Sequence, residues 1–137
     1  MDEGLDTTRR YLRPEHPATL RFVNAMGVIC RELGNYDEAE RSFHEALDGR
    51  EAELGAAHPE TLETKNDLGV LYKMQGKYED AQPLLHEAVD GRTEKLGQQH
   101  AHTLASIESL IELYEAWGKP EEAEKWRAKL SSPEAAE

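Results

Sequence analysis

The chain holds one cysteine, Cys30, among 137 residues. A lone thiol excludes an intramolecular disulfide and any metal site built on a cysteine pair. Long apolar runs are missing too. No stretch approaches the roughly 18 apolar residues of a membrane-spanning helix, and Met1–Arg10 has no apolar signal-peptide core. The cytoplasm is therefore the expected compartment. Cations are scarce: 16 Lys and Arg stand against 28 Asp and Glu, for a formal charge of −12. Nucleic-acid binding is driven by clustered Lys and Arg, so nucleic acid is not expected as a partner. The same acidity disfavours docking on an anionic membrane surface, while basic peptides stay compatible with it. β-branched residues are scattered and no alternating run stands out, so nothing reads as a strand.

What the sequence does have is repetition at a period of 42 residues. His16-Pro17, His58-Pro59 and His100-Ala101 fall in step, as do Thr19, Thr61 and Thr103. Gly34, Gly76 and Gly118 repeat, and so do Ala39, Ala81 and Ala123. Residues 16–57 and 58–99 share 18 identities in 42 positions, against roughly 3 from average composition. The domain reading follows: repeats at 16–57, 58–99 and 100–130, with a disordered tail at 131–137. Leu5, Asp6 and Leu12 precede Leu47, Asp48 and Leu54 by one period, so residues 1–15 read as a partial helix of a preceding repeat. The chain thus reads as three repeats of a longer array.

Each repeat splits into two helical stripes. In the middle one, Leu62, Leu68, Leu71 and Tyr72 share one face, and Tyr78, Ala81, Leu84, Leu85, Ala88 and Val89 share another. Gly76 ends the first helix, because glycine most easily takes the left-handed conformation past a helix end. Pro59 suits a first helical position and makes His58 the N-cap; Ala101, in the place of that proline, should cap less sharply. The spacing predicts helices at 18–33, 36–53, 60–75, 78–95, 102–117 and 120–130. Pro83 should bend its helix slightly. Gly27 and Gly69 are expected where paired helices cross closely, facing Ala39 and Ala81. Ile111 and Arg127 break that pattern in the third repeat, whose helix pair is expected to splay or to hold its last helix loosely.

The pattern His58-Pro59-Glu60-Thr61-Leu62, Asn66…Gly69…Tyr72, Gly76-Lys77-Tyr78…Ala81 and Leu96-Gly97 resembles the tetratricopeptide repeat, in the 42-residue form of kinesin light chains and related bacterial and fungal arrays. The resemblance covers residues 16 to 130. It implies an all-α fold, a right-handed superhelical array of antiparallel helical hairpins, with the first helices lining a concave groove for peptides. Carried over position by position, that groove would be formed by Arg21, Asn24, Val28 and Arg31, then Glu63, Asn66, Val70, Lys73 and Met74, then Ala105, Glu108, Glu112 and Glu115. Asn24 and Asn66 could each hold a peptide backbone, since one amide both donates and accepts. The groove would be basic at the first repeat and acidic at the third. The Lys and Asn clamp of chaperone-tail binders is absent: its places hold Asn24, Val28, Asp67, Ala105 and Ser109.

Catalysis finds no footing. There is no Ser-His-Asp arrangement, no phosphate-cradling glycine loop and no paired carboxylates with a pocket, so no catalytic residue, cofactor or metal is expected. His16, His58 and His100 recur as caps, and His44 and His86 as structural residues. His100 and His102, two apart, form a weak alternative pair of metal ligands. Cys30 stands where Tyr72 and Tyr114 stand and reads as a buried core thiol. The expected partner is a protein or peptide. The rival reading is a scaffold segment of a larger signalling protein, self-associating as a homo-oligomer through uncapped ends, with Leu5, Leu12, Phe22 and Val23 as the exposed apolar candidates.

Overall fold

The computed structural model describes residues 16–130. The partial helix expected at 1–15 and the tail at 131–137 lie outside the described residues. Those described form an all-α array of helical hairpins: α1 (Pro17–Glu32), α2 (Tyr36–Leu54), α3 (Pro59–Met74), α4 (Tyr78–Leu96), α5 (Ala101–Ala116) and α6 (Pro120–Leu130). No strand occurs among them. Each helix begins and ends within one residue of the span its periodicity predicts.

The local signals act as read. The ring nitrogen Nδ1 of His16 accepts from the Ala18 N–H at 3.0 Å, that of His58 from Glu60 at 3.1 Å, and that of His100 from His102 at 3.0 Å. These bonds satisfy one orphan donor at each helix start. Contrary to expectation, the cap without a proline is not weaker. His100 sits at φ −68°, ψ 144°, close to the −62°, 139° of His16. The imidazole makes the cap bond, and the proline only presets the backbone that follows. At the other end of α3, Gly76 at φ +79° carries the chain out, with Lys77 N–H bonded to Tyr72 C=O at 2.8 Å and Gly76 N–H to Lys73 C=O at 3.0 Å. That pair of bonds is the Schellman closure, which satisfies carbonyls the helix end leaves open. α4 runs unbroken through Pro83, which is exposed.

The chain divides within α3 into two compact units, one ending at Thr64 and the other beginning at Lys65. In the first, α1 and α2 are held by two reciprocal small-on-large contacts. A Cβ added at Gly27 would lie 2.6 Å from the Phe43 ring, and one added at Gly49 would lie 2.5 Å from Leu20. The register of these contacts makes the pair antiparallel. Leu20, Val23, Ala39, Phe43, Ala46 and Leu47 form the core beside them.

In the second unit Leu85 crosses Gly69, where an added Cβ would meet its Cγ and Cδ2 at 2.7 Å. The glycines therefore face Phe43 and Leu85, not Ala39 and Ala81. A large side chain can fill the space that a missing Cβ leaves, whereas two small residues would leave a void. Leu85, Val89, Ile107, Leu110, Leu113 and Tyr114 continue this core, with Trp117 and Trp126 packed against it. In the last pair the sizes are exchanged. Ile111 is buried, and Arg127 sends its head outward to Glu115 and Glu124. Only Ala123 of α6 is fully buried, against Ala39, Phe43, Ala46, Leu47 and Arg50 of α2, so the last helix is held by less burial.

Candidate peptide-binding face

The residues assigned to a peptide groove are best taken unit by unit. In the first, Arg21 is exposed and Val28 half-buried on α1. Arg31 lies with its guanidinium 5.9 Å from the centre of the Phe43 ring and its Nε 3.4 Å from Glu32. Glu63 is exposed but held at 3.1 Å by Arg50. Asn24 is 5% exposed, and its Oδ1 accepts from the Thr64 hydroxyl at 2.8 Å. The amide oxygen that was to receive a peptide N–H is thus already taken.

The second unit repeats this arrangement. Ser106 donates to Asn66 Oδ1 at 2.7 Å, with Asn66 half-buried on α3. Val70 packs on the core from the same helix, while Lys73 pairs across to Glu112 of α5. Met74 is 42% exposed, and Glu108 and Glu112 are exposed on α5. The structure therefore joins Asn66 to α5 through Ser106, and Lys73 to α5 through Glu112. It also spends charge that the expected acidic third repeat counted as available, since Glu112 meets Lys73 and Glu115 meets Arg127.

Behind each asparagine stands a residue that sequence reasoning missed. Arg50 is 2% exposed; its Nη1 donates to Thr64 Oγ1 at 3.0 Å, to the Glu60 carbonyl at 2.9 Å and to Glu63 Oε1 at 3.1 Å. Arg92, 5% exposed, donates to Ser106 Oγ at 2.9 Å and to the His102 carbonyl at 3.0 Å. Each unit thus carries a relay from guanidinium to hydroxyl to amide. A guanidinium only donates, so the hydroxyl it binds turns its own proton to the asparagine oxygen. The signal was present. Arg50 follows Phe43, Ala46 and Leu47 on the apolar stripe, where a cation has to find buried acceptors.

Other expectations resolve as follows. Cys30 is half-buried rather than buried, because it lies at the end of α1 near exposed Ile29 and Leu33 and is too short to reach inward as Tyr114 does. Val23 is buried at 5%, whereas Phe22 is 45% exposed; one residue is about 100° of helix, which turns Val23 onto the stripe facing α2. Leu5 and Leu12 lie outside the described residues. His86 meets the Tyr114 hydroxyl at 2.7 Å, with the Trp126 ring edge-on at 5.5 Å. Burial pushes its pKa below the usual 6.5, with Asp90 and Glu122 opposing, and burial likewise raises the Tyr114 phenol. His44 stays on the surface beside Glu40. The His100 and His102 rings stack at 5.1 Å, with one nitrogen of His100 spent on the cap.

Two open concavities hold about 240 Å³ each, one lined by Gly76, Lys77, Tyr78 and Trp117, the other by Val89, Ile107 and Trp126. A third, of about 420 Å³, has only Asp37, Glu40, Arg41 and His44 along one helix face. Small-molecule sites are enclosed, mostly apolar clefts of roughly 300–1,000 Å³, which none of these matches. Among the described residues no group of His, Cys, Asp and Glu is placed to hold a metal ion, and no helix is long and apolar enough to cross a membrane.

Paired helices joined by glycine turns, repeated with small-on-large crossings, define a helical-repeat protein. The sequence profile of the tetratricopeptide repeat matches residues 22–94, and the chain belongs to that family. Two solved structures of a candidate kinesin light chain from Podosopora anserina, with nearly identical TPR-like repeats, are similar to it. One, a single-residue variant, has a TM-score of 0.75 and 25% identity over 90% of this chain and 58% of that one; the other scores 0.73, at 25% identity over 90% and 59%. BtubC (BKLC) from P. vanneervenii shares the fold, with a TM-score of 0.77 and 23% identity over 93% of this chain and 54% of its own. The chain thus spans somewhat over half the length of these structures. No curated protein matches its sequence. Tetratricopeptide repeats are in general protein–protein interaction modules.

Proposed function

We propose that the chain is a protein-binding module of the cytoplasm that receives a peptide or partner helix in a concave groove lined by its first helices and carries out no chemical turnover. The observation that carries this reading is the cluster on α3 and α5 in the second unit. There Asn66 is oriented by Ser106, Val70 and Met74 offer apolar surface, and Lys73 and Glu112 stand beside them with opposite charges. Such a mixture of a fixed amide, short apolar contacts and paired charges suits an extended peptide, whose backbone needs hydrogen bonds at regular intervals. Glu108 on α5, and Arg21, Asn24, Val28, Arg31 and Glu63 in the first unit, are proposed as further contacts. Because the Asn66 oxygen is engaged, the asparagine meets the ligand through its NH₂ and so selects carbonyl or carboxylate oxygens.

A random peptide library selected against the whole chain tests this, with each selected peptide then titrated against Lys73→Glu and Val70→Asp. Binding should weaken about tenfold or more in either variant. Peptides that bind both variants as they bind the parent would place the site elsewhere. The rival reading, self-association through the ends of the array, draws on the exposed Phe22, Ile29 and Leu33 of α1. α6, however, presents Glu121, Glu124, Lys125 and Lys129, a charged face with no apolar counterpart to them. Light scattering across a concentration series separates the readings: a constant monomer mass removes assembly.

A further inference from the structure

Between its two hairpin turns, the second unit carries a wall of aromatic rings that the peptide-binding face does not use. Trp117 closes α5, with the Tyr78 ring 5.9 Å away at 31° and the Tyr114 ring 6.2 Å away and parallel. The matching places one and two periods earlier hold Gln75 and Leu33, so this ring belongs to the last repeat alone. Tyr78 and Trp117 line one open concavity of about 240 Å³ together with Glu79 and Asp80.

Repetition shows what that concavity lacks. In α2 and α6 the acid at the third helical position is matched by a base one turn on: Glu38 with Arg41, and Glu122 with Lys125 at 3.3 Å. In α4 those two positions hold Asp80 and an exposed Pro83. Proline brings no charge, so Asp80 is without the cation that its counterparts keep. Among the described residues neither Glu79 nor Asp80 enters an ion pair. The nearby lysines are turned to rings instead. Lys77 Nζ lies 5.7 Å from the centre of the Tyr72 ring, and Lys119 Nζ 4.1 Å from that of Trp117. The concavity thus joins two uncompensated carboxylates to aromatic rings, one of which already draws a cation. A cation is the group that satisfies both. A guanidinium suits the place better than an ammonium, being flat enough to stack on a ring and presenting its donors to carboxylates as a fork.

We propose that this concavity is a second binding site, separate from the peptide-binding face, and that it receives an arginine side chain of a partner protein. The guanidinium lies against Tyr78 and Trp117, and its N–H groups meet Glu79 and Asp80. The chain's own tail does not supply the cation, since residues 131–137 hold Glu134 and Glu137 and no Lys or Arg. That tail also departs from the far end of α6, 11 residues along the helix from the turn that holds Trp117.

The test titrates two fluorescent Gly-Ser peptides into the full 137-residue chain at physiological salt, one bearing three arginines and the other three lysines. Their charges are equal, so general attraction to an acidic chain does not separate them. By anisotropy the arginine peptide should bind about fivefold tighter. Trp117→Leu, which copies Leu33, and Asp80→Asn at an exposed position should each erase most of that preference, with helicity by circular dichroism retained. Val70→Asp, on the peptide-binding face, should leave it intact. Equal binding of the two peptides, or a preference unchanged in either folded variant, overturns the proposal, because overall acidity is then sufficient. A preference lost in Val70→Asp but kept in Trp117→Leu places the arginine in the groove and overturns it too. If the chain binds only after Arg9, Arg10 and Arg13 are changed to alanine, the occupant is the chain's own head and the proposal fails. It fails equally if the chain alone gains mass with concentration and Trp117→Leu abolishes the gain, since the arginine then comes from a second copy.

Discussion

Substituting Gly69 with alanine sets two opposed effects against each other. In a helix interior alanine is favoured over glycine by about 1 kcal/mol. The new Cβ, however, would lie 2.7 Å from both Cγ and Cδ2 of Leu85, and 3.4 Å from Cβ of Leu84. Leu85 is fully buried, and its Cγ is a branch point with no flexible end to swing away. The helices must separate or the leucine must leave its rotamer, at a cost of roughly 1–3 kcal/mol. The net effect is a loss of up to about 2 kcal/mol for Gly69→Ala, and a larger one for Gly69→Ile. At roughly 2–4 °C per kcal/mol for a chain of this size, the melting temperature from circular dichroism should fall by several degrees. Gly76→Ala serves as the comparison: nothing lies within 4 Å of its added Cβ, and its φ of +79° alone makes the change unfavourable. A raised midpoint for Gly69→Ala, or an unchanged one for the bulkier Gly69→Ile, would refute close crossing as the reason for that glycine.

Ser106→Ala should cost about 1–3 kcal/mol in urea denaturation, because it leaves buried Arg92 and the Asn66 oxygen short of a partner. Combined with Arg92→Met the two losses should not add, since both break one relay. His58→Ala should cost about 1 kcal/mol through the lost cap on Glu60 N–H, with His58→Asn restoring most of it. His86 has its pKa lowered by burial, so the unfolded chain takes up its proton first as the pH falls. The stability that neutral His86 contributes is present above pH 6.5, the unfolded value, and is lost as the pH drops below 6.5 through the lowered folded value. A His86→Gln chain should show a shallower stability loss over that acid range.

The helices were legible because their causes are local. A stripe at helical spacing, a histidine one residue ahead of the helix and a glycine at the turn each act within a few residues of themselves, and repetition at 42 residues confirmed them three times over. The third cap shows the limit of the proline signal: His100 performs as His16 does without it. The candidate face was legible only as a set of positions. Asn24, Asn66, Lys73 and Glu112 were named from the sequence, yet not that Thr64 and Ser106 occupy the amide oxygens, or that Lys73 and Glu112 spend their charges on each other.

By itself, then, the sequence determined the fold class, the helix boundaries and the caps, because each follows from neighbours along the chain. Only the tertiary structure decided that Gly27 and Gly69 answer Phe43 and Leu85, and that Arg50 and Arg92 are buried donors. Those outcomes depend on groups that meet across helix pairs, 40 residues apart in the case of Asn24 with Thr64 and Asn66 with Ser106. Contacts of that kind are set by interhelical distance and side-chain reach, which no periodicity along one helix encodes.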